Sequence, residues 1–369
     1  MTAISRDAIA GRLSEVRERT LALVDPLDDD QLNRVHSPLL SPLAWDLGHI
    51  ANFEELWLVQ RIGGREPLRG DLGRLYDAIE NPRTIRGELP ILHGPELRAY
   101  LADVRGRTLE VLAEVDLSPG AEDPLLREAF VYEMLLAHEL QHNETMLQLL
   151  MGLDGYQPTC VDPDPAPERD GSAEMVRIDA GEHRIGAAPL GFAYDNERER
   201  HRVELAAFDV DRLPVANRAF IDFMEETGAA PPMHWKPDGS GGWLDARMGR
   251  RTRLDLDRPV AHVSWEEADA FALWAGKRLP SEFEWEAARP QLGGLGQVWE
   301  WTSSHFLPYP GFEAFPYPEY SEVFFGDGHR VLRGGSWATH PSVARPTFRN
   351  WDLPQRRQIF SGIRLARDA

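Results

Sequence analysis

A single cysteine, Cys160, is the only thiol in a chain of 369 residues, which excludes an intrachain disulfide. The prolines around it offer neither a base nor a helix end to activate it, so a cysteine nucleophile is not expected either. Any sulfur chemistry must enter with a substrate. No apolar run reaches transmembrane length, and Met1 to Asp7 form neither a signal peptide nor a basic transit sequence; a cytoplasmic location is the default expectation. Basic residues are also in short supply: 40 Lys and Arg face 60 Asp and Glu, a formal charge of −20. That balance disfavours nucleic acid and anionic membranes as partners and points to small molecules. The sequence has no internal repeat. With 42% hydrophobic residues, it fits a globular protein long enough for two domains, each with its own core.

What is present is histidine at metal-ligand spacing. His138 and His142 stand four apart in a helix-periodic run from Leu125 to Met151 that contains no internal Pro and no Gly. Residues four apart on a helix share a face, so the two imidazoles can converge on one ion and leave its other positions open. A third histidine, His49, sits in a second apolar-periodic stretch, for which Ser41-Pro42 is a plausible cap and first position. An i, i+4 histidine pair also occurs on ordinary helix surfaces, so spacing alone raises the metal reading without settling it. Glu139 and Glu144 lie close by, but their helical phase points them away from the His138/His142 face.

Helical periodicity recurs near 5–24, 42–62, 94–116 and 125–152, which suggests a four-helix bundle whose interior suits a metal. This helical domain is expected over residues 1–155. Prolines and acidic residues then crowd the stretch Gln157-Pro-Thr-Cys-Val-Asp-Pro-Asp-Pro-Ala-Pro-Glu168, which marks a linker over 156–174. Beyond it, 175–369 reads as an α+β domain. It has short strands such as Val176-Arg-Ile and Val203-Glu-Leu, brief helices near 214–227 and 264–276, and long loops rich in Gly, Pro and Trp. Trp285, Trp299, Trp301, Trp337 and Trp351 are expected to fill a core poor in regular elements.

Four phrases in this domain carry a resemblance: Arg278-Leu-Pro-Ser-Glu-Phe-Glu-Trp285, Val298-Trp-Glu-Trp-Thr302, Val331-Leu-Arg-Gly-Gly-Ser-Trp337 and Gly362-Ile-Arg364. Together they resemble the formylglycine-generating (sulfatase-modifying factor) fold, a variant of the C-type-lectin architecture. That enzyme works through a cysteine pair, and this domain has no cysteine, so the fold can carry over but that activity cannot. The N-terminal half resembles the DinB-like four-helix bundle. The combination is similar to the ergothioneine-biosynthesis sulfoxide synthases over nearly the whole chain, most tellingly in Ser41-Pro-Leu-Ala-Trp-Asp-Leu-Gly-His49, in His138-Glu-Leu-Gln-His-Asn-Glu-Thr-Met146, and in Thr347-Phe-Arg-Asn-Trp-Asp-Leu-Pro-Gln-Arg-Arg-Gln-Ile-Phe360.

The resemblance implies a nonheme Fe(II) enzyme that uses O2 to join a cysteine-containing thiol to the imidazole of hercynine, giving a sulfoxide. By motif match, His49, His138 and His142 would hold the iron. An all-nitrogen site of this kind would also suit zinc. Gln141 matches the residue that hydrogen-bonds the hercynine imidazole, and Asn350 and Trp351 match contacts to the rest of that betaine, whose quaternary ammonium suits an aromatic face. Asp352 and Arg356 match residues at the thiol substrate. Arg83 and Arg86, in Tyr76-Asp-Ala-Ile-Glu-Asn-Pro-Arg-Thr-Ile-Arg86, match the arginines that hold the carboxylates of γ-glutamylcysteine; without the resemblance both read as solvated loop charges. Tyr317 matches the catalytic tyrosine, a proton donor, with Tyr320 the competing position if the loop register slips. The resemblance places the reaction at the seam between the domains.

One departure stands out. Between Glu286 and Val298 the chain has only eleven residues where family members carry a longer segment, and a trimmed surface loop is expected. Three rival readings follow from the same residues. A selenoneine synthase would use a selenosugar, against which Arg83, Arg86 and Asp352 argue. A zinc-dependent DinB-type thiol transferase would need no oxygen, and a non-catalytic binding module would hold no metal. Free cysteine also competes with γ-glutamylcysteine as the thiol donor.

Overall fold

The computed structural model describes residues 5–157 and 174–369 and divides the chain into two units, 1–161 and 162–369. Cys160 and most of the Pro-rich stretch expected to be a linker lie outside the described residues. Among the described residues, no helix is long and apolar enough to cross a membrane.

Four long helices make up the first unit: α1 (Arg6–Val24), α2 (Leu43–Glu54), α3 (Gly94–Glu114) and α4 (Phe130–Leu150). Ser5 caps α1 by accepting from the Ala8 amide at 3.1 Å, and the helix buries Ile9, Leu13, Val16, Thr20 and Leu23 at heptad-like intervals. In α2 every residue is buried, so it has no solvent face and its polar side chains must find partners inside the protein. It continues as a π-helical segment, Glu55–Ile62, where the expected α-helical run to 62 changes pitch. Two further details differ from expectation. Ser41 does not cap α2; its hydroxyl accepts instead from Arg86 at 2.8 Å, and Pro42 takes the cap position without a side-chain bond. The run expected to be helical from Leu125 is broken at Glu128 and Ala129, both with positive φ, so that α4 starts at Phe130. The chain after α4 folds back, where Tyr156 is buried and its hydroxyl donates to the Leu23 carbonyl at 2.8 Å.

Each of these four helices contributes one residue to a buried charge quartet. Arg17 of α1 bonds Glu139 of α4 and Glu54 of α2, both at 2.8 Å, and Arg105 of α3 reaches Glu54 at 2.7 Å and Glu139 at 3.3 Å. The Thr20 hydroxyl adds a further bond to Glu139 at 2.7 Å. Burial would raise the Glu54 carboxyl, but Arg17 and Arg105 outweigh it and hold it below its ordinary value.

In the second unit, a four-stranded sheet has the order β10–β9–β8–β11, with β8 (Trp299–Phe306), β9 (Gly326–Arg333), β10 (Asn350–Asp352) and β11 (Ser361–Gly362). β11 runs parallel to β8, and the other pairs are antiparallel. A second sheet joins β1 (Met175–Ile178), β4 (Phe208–Asp211) and β12 (Ala366–Asp368), bringing the end of the chain beside the start of the unit. The expected helices are present as α5 (Asn217–Thr227) and α6 (Trp265–Trp274), and a further helix, α7 (Glu282–Ala288), follows a Ser281 capping box. Trp285, Trp299 and Trp301 are buried as expected, whereas Trp337 and Trp351 are half-buried.

The phrases that carry the resemblance in this unit contribute to buried ion pairs. Arg349 forks onto Glu282 at 2.7 and 2.9 Å, Arg364 onto Glu300 at 2.6 Å twice, and Arg333 bonds Glu286 at 2.5 Å. These three arginines are fully buried, and the pairs tie α7 and β8 to distant parts of the chain. The shortened segment after Glu286 is only in part the surface loop expected: Pro290 and Gln291 are exposed, and the rest is half-buried or buried. Ala288 and Leu292 sit in a core cluster with Phe208, Val210 and Trp285, and Gly293 exchanges bonds with the Arg212 carbonyl and the Arg364 guanidinium. Gly294, at φ +67°, packs where a Cβ would meet Pro214 at 2.7 Å.

Replacing Glu139 by Leu leaves Arg17 and Arg105 each short of a partner, and the expected loss is about 3–5 kcal/mol, measurable as a lower urea midpoint by far-UV circular dichroism. The Glu54 contribution is full above its ordinary value of 4.5, because the folded carboxyl lies lower, and drains away as pH falls below that. Acid titration of the helical signal in Glu54→Gln should therefore show a shallower loss than in the unaltered protein.

Candidate metal centre

α2 and α4 bring His49, His138 and His142 together, with one potential ligand atom from each lying within 4.8 Å of the others. Among the described residues no other such group of three occurs. The imidazole centroids are 4.6 to 5.1 Å apart. His49 has its orientation set on two sides. Its Nδ1 lies 2.7 Å from the Tyr76 carbonyl, which can only accept, so Nδ1 carries the proton and Nε2 presents a lone pair. The Trp45 ring stacks on it at 4.9 Å and 11°. His138 stacks on Phe53 at 3.9 Å, and its Nε2 approaches the His49 Nε2 to 3.2 Å. His142 Nδ1 is buried without a hydrogen bond, 3.4 Å from the Asp46 carboxylate.

Burial pushes the His49 and His138 imidazoles well below their ordinary range, and the neighbouring His142 pushes them further. Both are therefore neutral, the form in which imidazole ligates metals. Three inward-facing nitrogens without an acid among them fit a cation: each supplies a lone pair, and the facing Nε2 atoms of His49 and His138 repel unless a proton or ion lies between them. Glu139 is not a competitor for that ion, since Arg17, Arg105 and Thr20 already engage its carboxylate. Gln141 and Glu144 lie on α4 beside the histidines, Gln141 half-buried and Glu144 buried.

Arg83 opens a short 3₁₀ helix, Arg83–Glu88, and Arg86 lies one turn further along it. Arg83 is exposed, with a long 3.4 Å contact to the Leu39 carbonyl. Arg86 is only 6% exposed. It bonds the carbonyls of Asn81 (2.8 Å) and Ala78 (3.1 Å) and the Ser41 hydroxyl (2.8 Å), and its guanidinium lies 3.6 Å from the Trp45 ring centre. Burial pulls its pKa down to about 10, against the pull of the Asp46 carboxylate. The solvated loop charge read from sequence describes Arg83 and not Arg86.

Tyr317 and the 350–356 strip belong to the second unit. Tyr317 precedes a 3₁₀ turn, Pro318–Tyr320, and burial raises its phenol well above the ordinary range, helped by Tyr194 and Asp195. It therefore keeps its proton at neutral pH. Tyr320 stacks on Tyr194 at 3.9 Å and hydrogen-bonds it, which commits that ring to packing. Trp351 stacks on Phe306 at 4.2 Å and meets Tyr320 edge-on at 5.6 Å. On β10, Asn350 and Asp352 share one face and Trp351 takes the other. Asp352 is 3.6 Å from Arg356.

Comparison with known proteins agrees with both halves of this architecture. A DinB superfamily model matches residues 12–146, and a sulfatase-modifying factor enzyme 1-like domain matches 161–294 and 292–369. The chain is 39% identical to the hercynine oxygenase of Mycolicibacterium smegmatis, covering 99% of this chain and 100% of the relative. The chain belongs to the hercynine oxygenase family. It is 38% identical to the hercynine oxygenase of Mycobacterium tuberculosis, with 99% of each covered. A shorter match, 46% over 78 residues, is to ergothioneine biosynthesis protein 1 of Neurospora crassa, covering 21% of this chain and 9% of that one. The smegmatis alignment runs to 442 positions, more than the 369 residues present here, so that hercynine oxygenase carries residues with no counterpart in this chain.

Three residues behind the triad escaped the sequence reading: Asp46, Gly48 and Tyr76. The signal was in the phrase Trp45-Asp-Leu-Gly-His49, whose Gly48 is a poor helix former placed mid-helix. Gly48 is required by contact, because an added Cβ would overlap the Tyr76 ring, itself fully buried. Gly48→Ala should displace Tyr76 and free His49 Nδ1. The expected result is a 10- to 100-fold weaker metal affinity, read as metal content after dialysis by elemental analysis.

Proposed function

We propose that the protein joins hercynine to the thiol of γ-glutamylcysteine with O2, forming a C–S bond and a sulfoxide in ergothioneine biosynthesis, at an Fe(II) ion held by His49, His138 and His142. The observation that carries this reading is the full-length similarity to hercynine oxygenases, together with the neutral three-imidazole cluster. The reaction balances without another reductant: the imidazole C–H and the thiol S–H lose hydrogen, one oxygen atom ends on sulfur and the other leaves as water. When bound, iron supplies the one-electron chemistry that O2 requires.

The protein's own groups then bind and supply protons. Gln141, beside His142, would hydrogen-bond the hercynine imidazole. Trp351, in its aromatic setting of Phe306, Tyr320 and Phe324, would face the trimethylammonium, which offers no hydrogen to donate, and Asn350 would hold the rest of the betaine. Asp352 would pair with the ammonium of the thiol substrate and Arg356 with one of its carboxylates. Exposed Arg83 would take a second carboxylate, which supports the dipeptide over free cysteine. Arg86 keeps two of its five N–H groups for the same task. Tyr317, its phenol protonated at neutral pH, would donate a proton as oxygen is reduced.

The test is anaerobic Fe(II) reconstitution followed by air, hercynine and γ-glutamylcysteine, with oxygen uptake and product mass read together. A coupled product carrying one added oxygen is expected. Turnover without oxygen on a zinc-loaded protein would replace this reading with a thiol transferase. Tyr317→Phe should lower the sulfoxide yield by about 10²- to 10⁴-fold while thiol oxidation continues; an unchanged yield would move the proton donor elsewhere.

A further inference from the structure

We infer that Asp46 and Arg86 are positioning residues that form a buried clamp behind the triad, fixing the imidazoles of His142 and His49 for the metal. The inference rests on the reading of the triad as a metal centre. It gives Arg86 a task independent of any substrate.

The argument starts from burial. Asp46, three residues before His49 on α2, is only 2% exposed, and a buried carboxylate needs a partner. Its Oδ1 lies 3.4 Å from the buried His142 Nδ1, for which no hydrogen bond is formed. A small closure makes this an Nδ1–H to carboxylate bond, which turns the Nε2 lone pair of His142 towards the other two imidazoles. Carbonyl and carboxylate acceptors behind histidine ligands act in this way, setting the tautomer and raising ligand basicity. His49 already has the carbonyl version through Tyr76; Asp46 provides the carboxylate version for His142.

Arg86 joins the two. Its positive charge acts on Asp46, and its guanidinium plane lies on Trp45, the ring that stacks on His49. The arginine is itself held by Asn81, Ala78 and Ser41, so it is a fixed plane rather than a mobile charge. Trp45, with one edge bonded to the Leu75 carbonyl at 3.3 Å, transmits that fixity to His49. A lysine could replace the charge but not the planar contact.

The experiment titrates the full-length apo protein with Co(II), in the absence of both substrates, following its visible absorption. Thermal melts of each apo variant show whether it folds. Asp46→Asn and Arg86→Ala should bind Co(II) 10- to 100-fold more weakly than the unaltered protein, with displaced absorption bands, and Arg86→Lys should recover only part of the loss. Arg83→Ala should bind Co(II) normally. If folded Asp46→Asn and Arg86→Ala bind with unaltered affinity and bands, the clamp is wrong and Arg86 serves the substrate alone, which would appear as a raised KM for the thiol. Should Arg86→Ala not fold, Ser41→Ala removes just one of its anchors; a loss of about 2- to 10-fold supports the clamp, and none overturns the Arg86 half of it. Failure of the unaltered protein to bind Co(II) at all would instead bring down the metal-centre reading, and the clamp with it.

Discussion

The helical unit depends on four charges that could not stand in its interior singly. Arg17, Glu54, Arg105 and Glu139 come one from each long helix, and each carboxylate accepts from both guanidiniums. Hydrophobic packing alone tolerates a rotation or slip of one helix against another, because apolar contacts have no direction. A forked arginine pair does not, because its hydrogen bonds hold only at one geometry. Glu54 stands five residues after His49, and Glu139 is next to His138. The quartet therefore sets the rotation of α2 and α4 at which the three imidazoles face inward. Glu54 and Glu139 project from the same two helices as the imidazoles, but towards Arg17 and Arg105.

The second unit uses the same device for a different end. Its strands are short and its loops long, so little of it is held by ladder hydrogen bonds. Glu282, Glu286 and Glu300 fix Arg349, Arg333 and Arg364 across large sequence separations. All but Glu286 lie in the phrases that made the sequence recognisable. Their task is set by burial: a buried arginine without its glutamate costs several kcal/mol. The fold can thus be kept where the chemistry has changed, as the absence of cysteine from this unit shows.

Much of the fold was legible because it rests on periodicity. The long helices lie close to their expected spans, since a regular apolar stripe leaves few alternatives. The misreadings fell where periodicity is silent. Glu128 and Ala129 look like good helix formers, and only the tight entry into α4 forces their positive φ. The segment after Glu286 lies between the recognisable phrases and holds no expected site residue, which suggests a surface loop, yet Leu292 and Leu295 turn inward onto the core. Ser41 seemed a helix cap, and its hydroxyl serves an arginine forty-five residues away.

At the candidate metal centre the division is sharper. The sequence by itself determined that His138 and His142, at i and i+4, share one helix face and that His49 stands in a second apolar-periodic stretch. It also determined that the second unit has no cysteine. Only the tertiary structure decided that His49 joins the other two, that Tyr76 chooses its tautomer, that Gly48 is small to admit Tyr76, and that Arg86 is buried where Arg83 is not. The physical reason is range. Helical periodicity is set by neighbours within a turn, whereas burial, tautomer and charge pairing are set by residues far along the chain, whose positions exist only once the helices have packed.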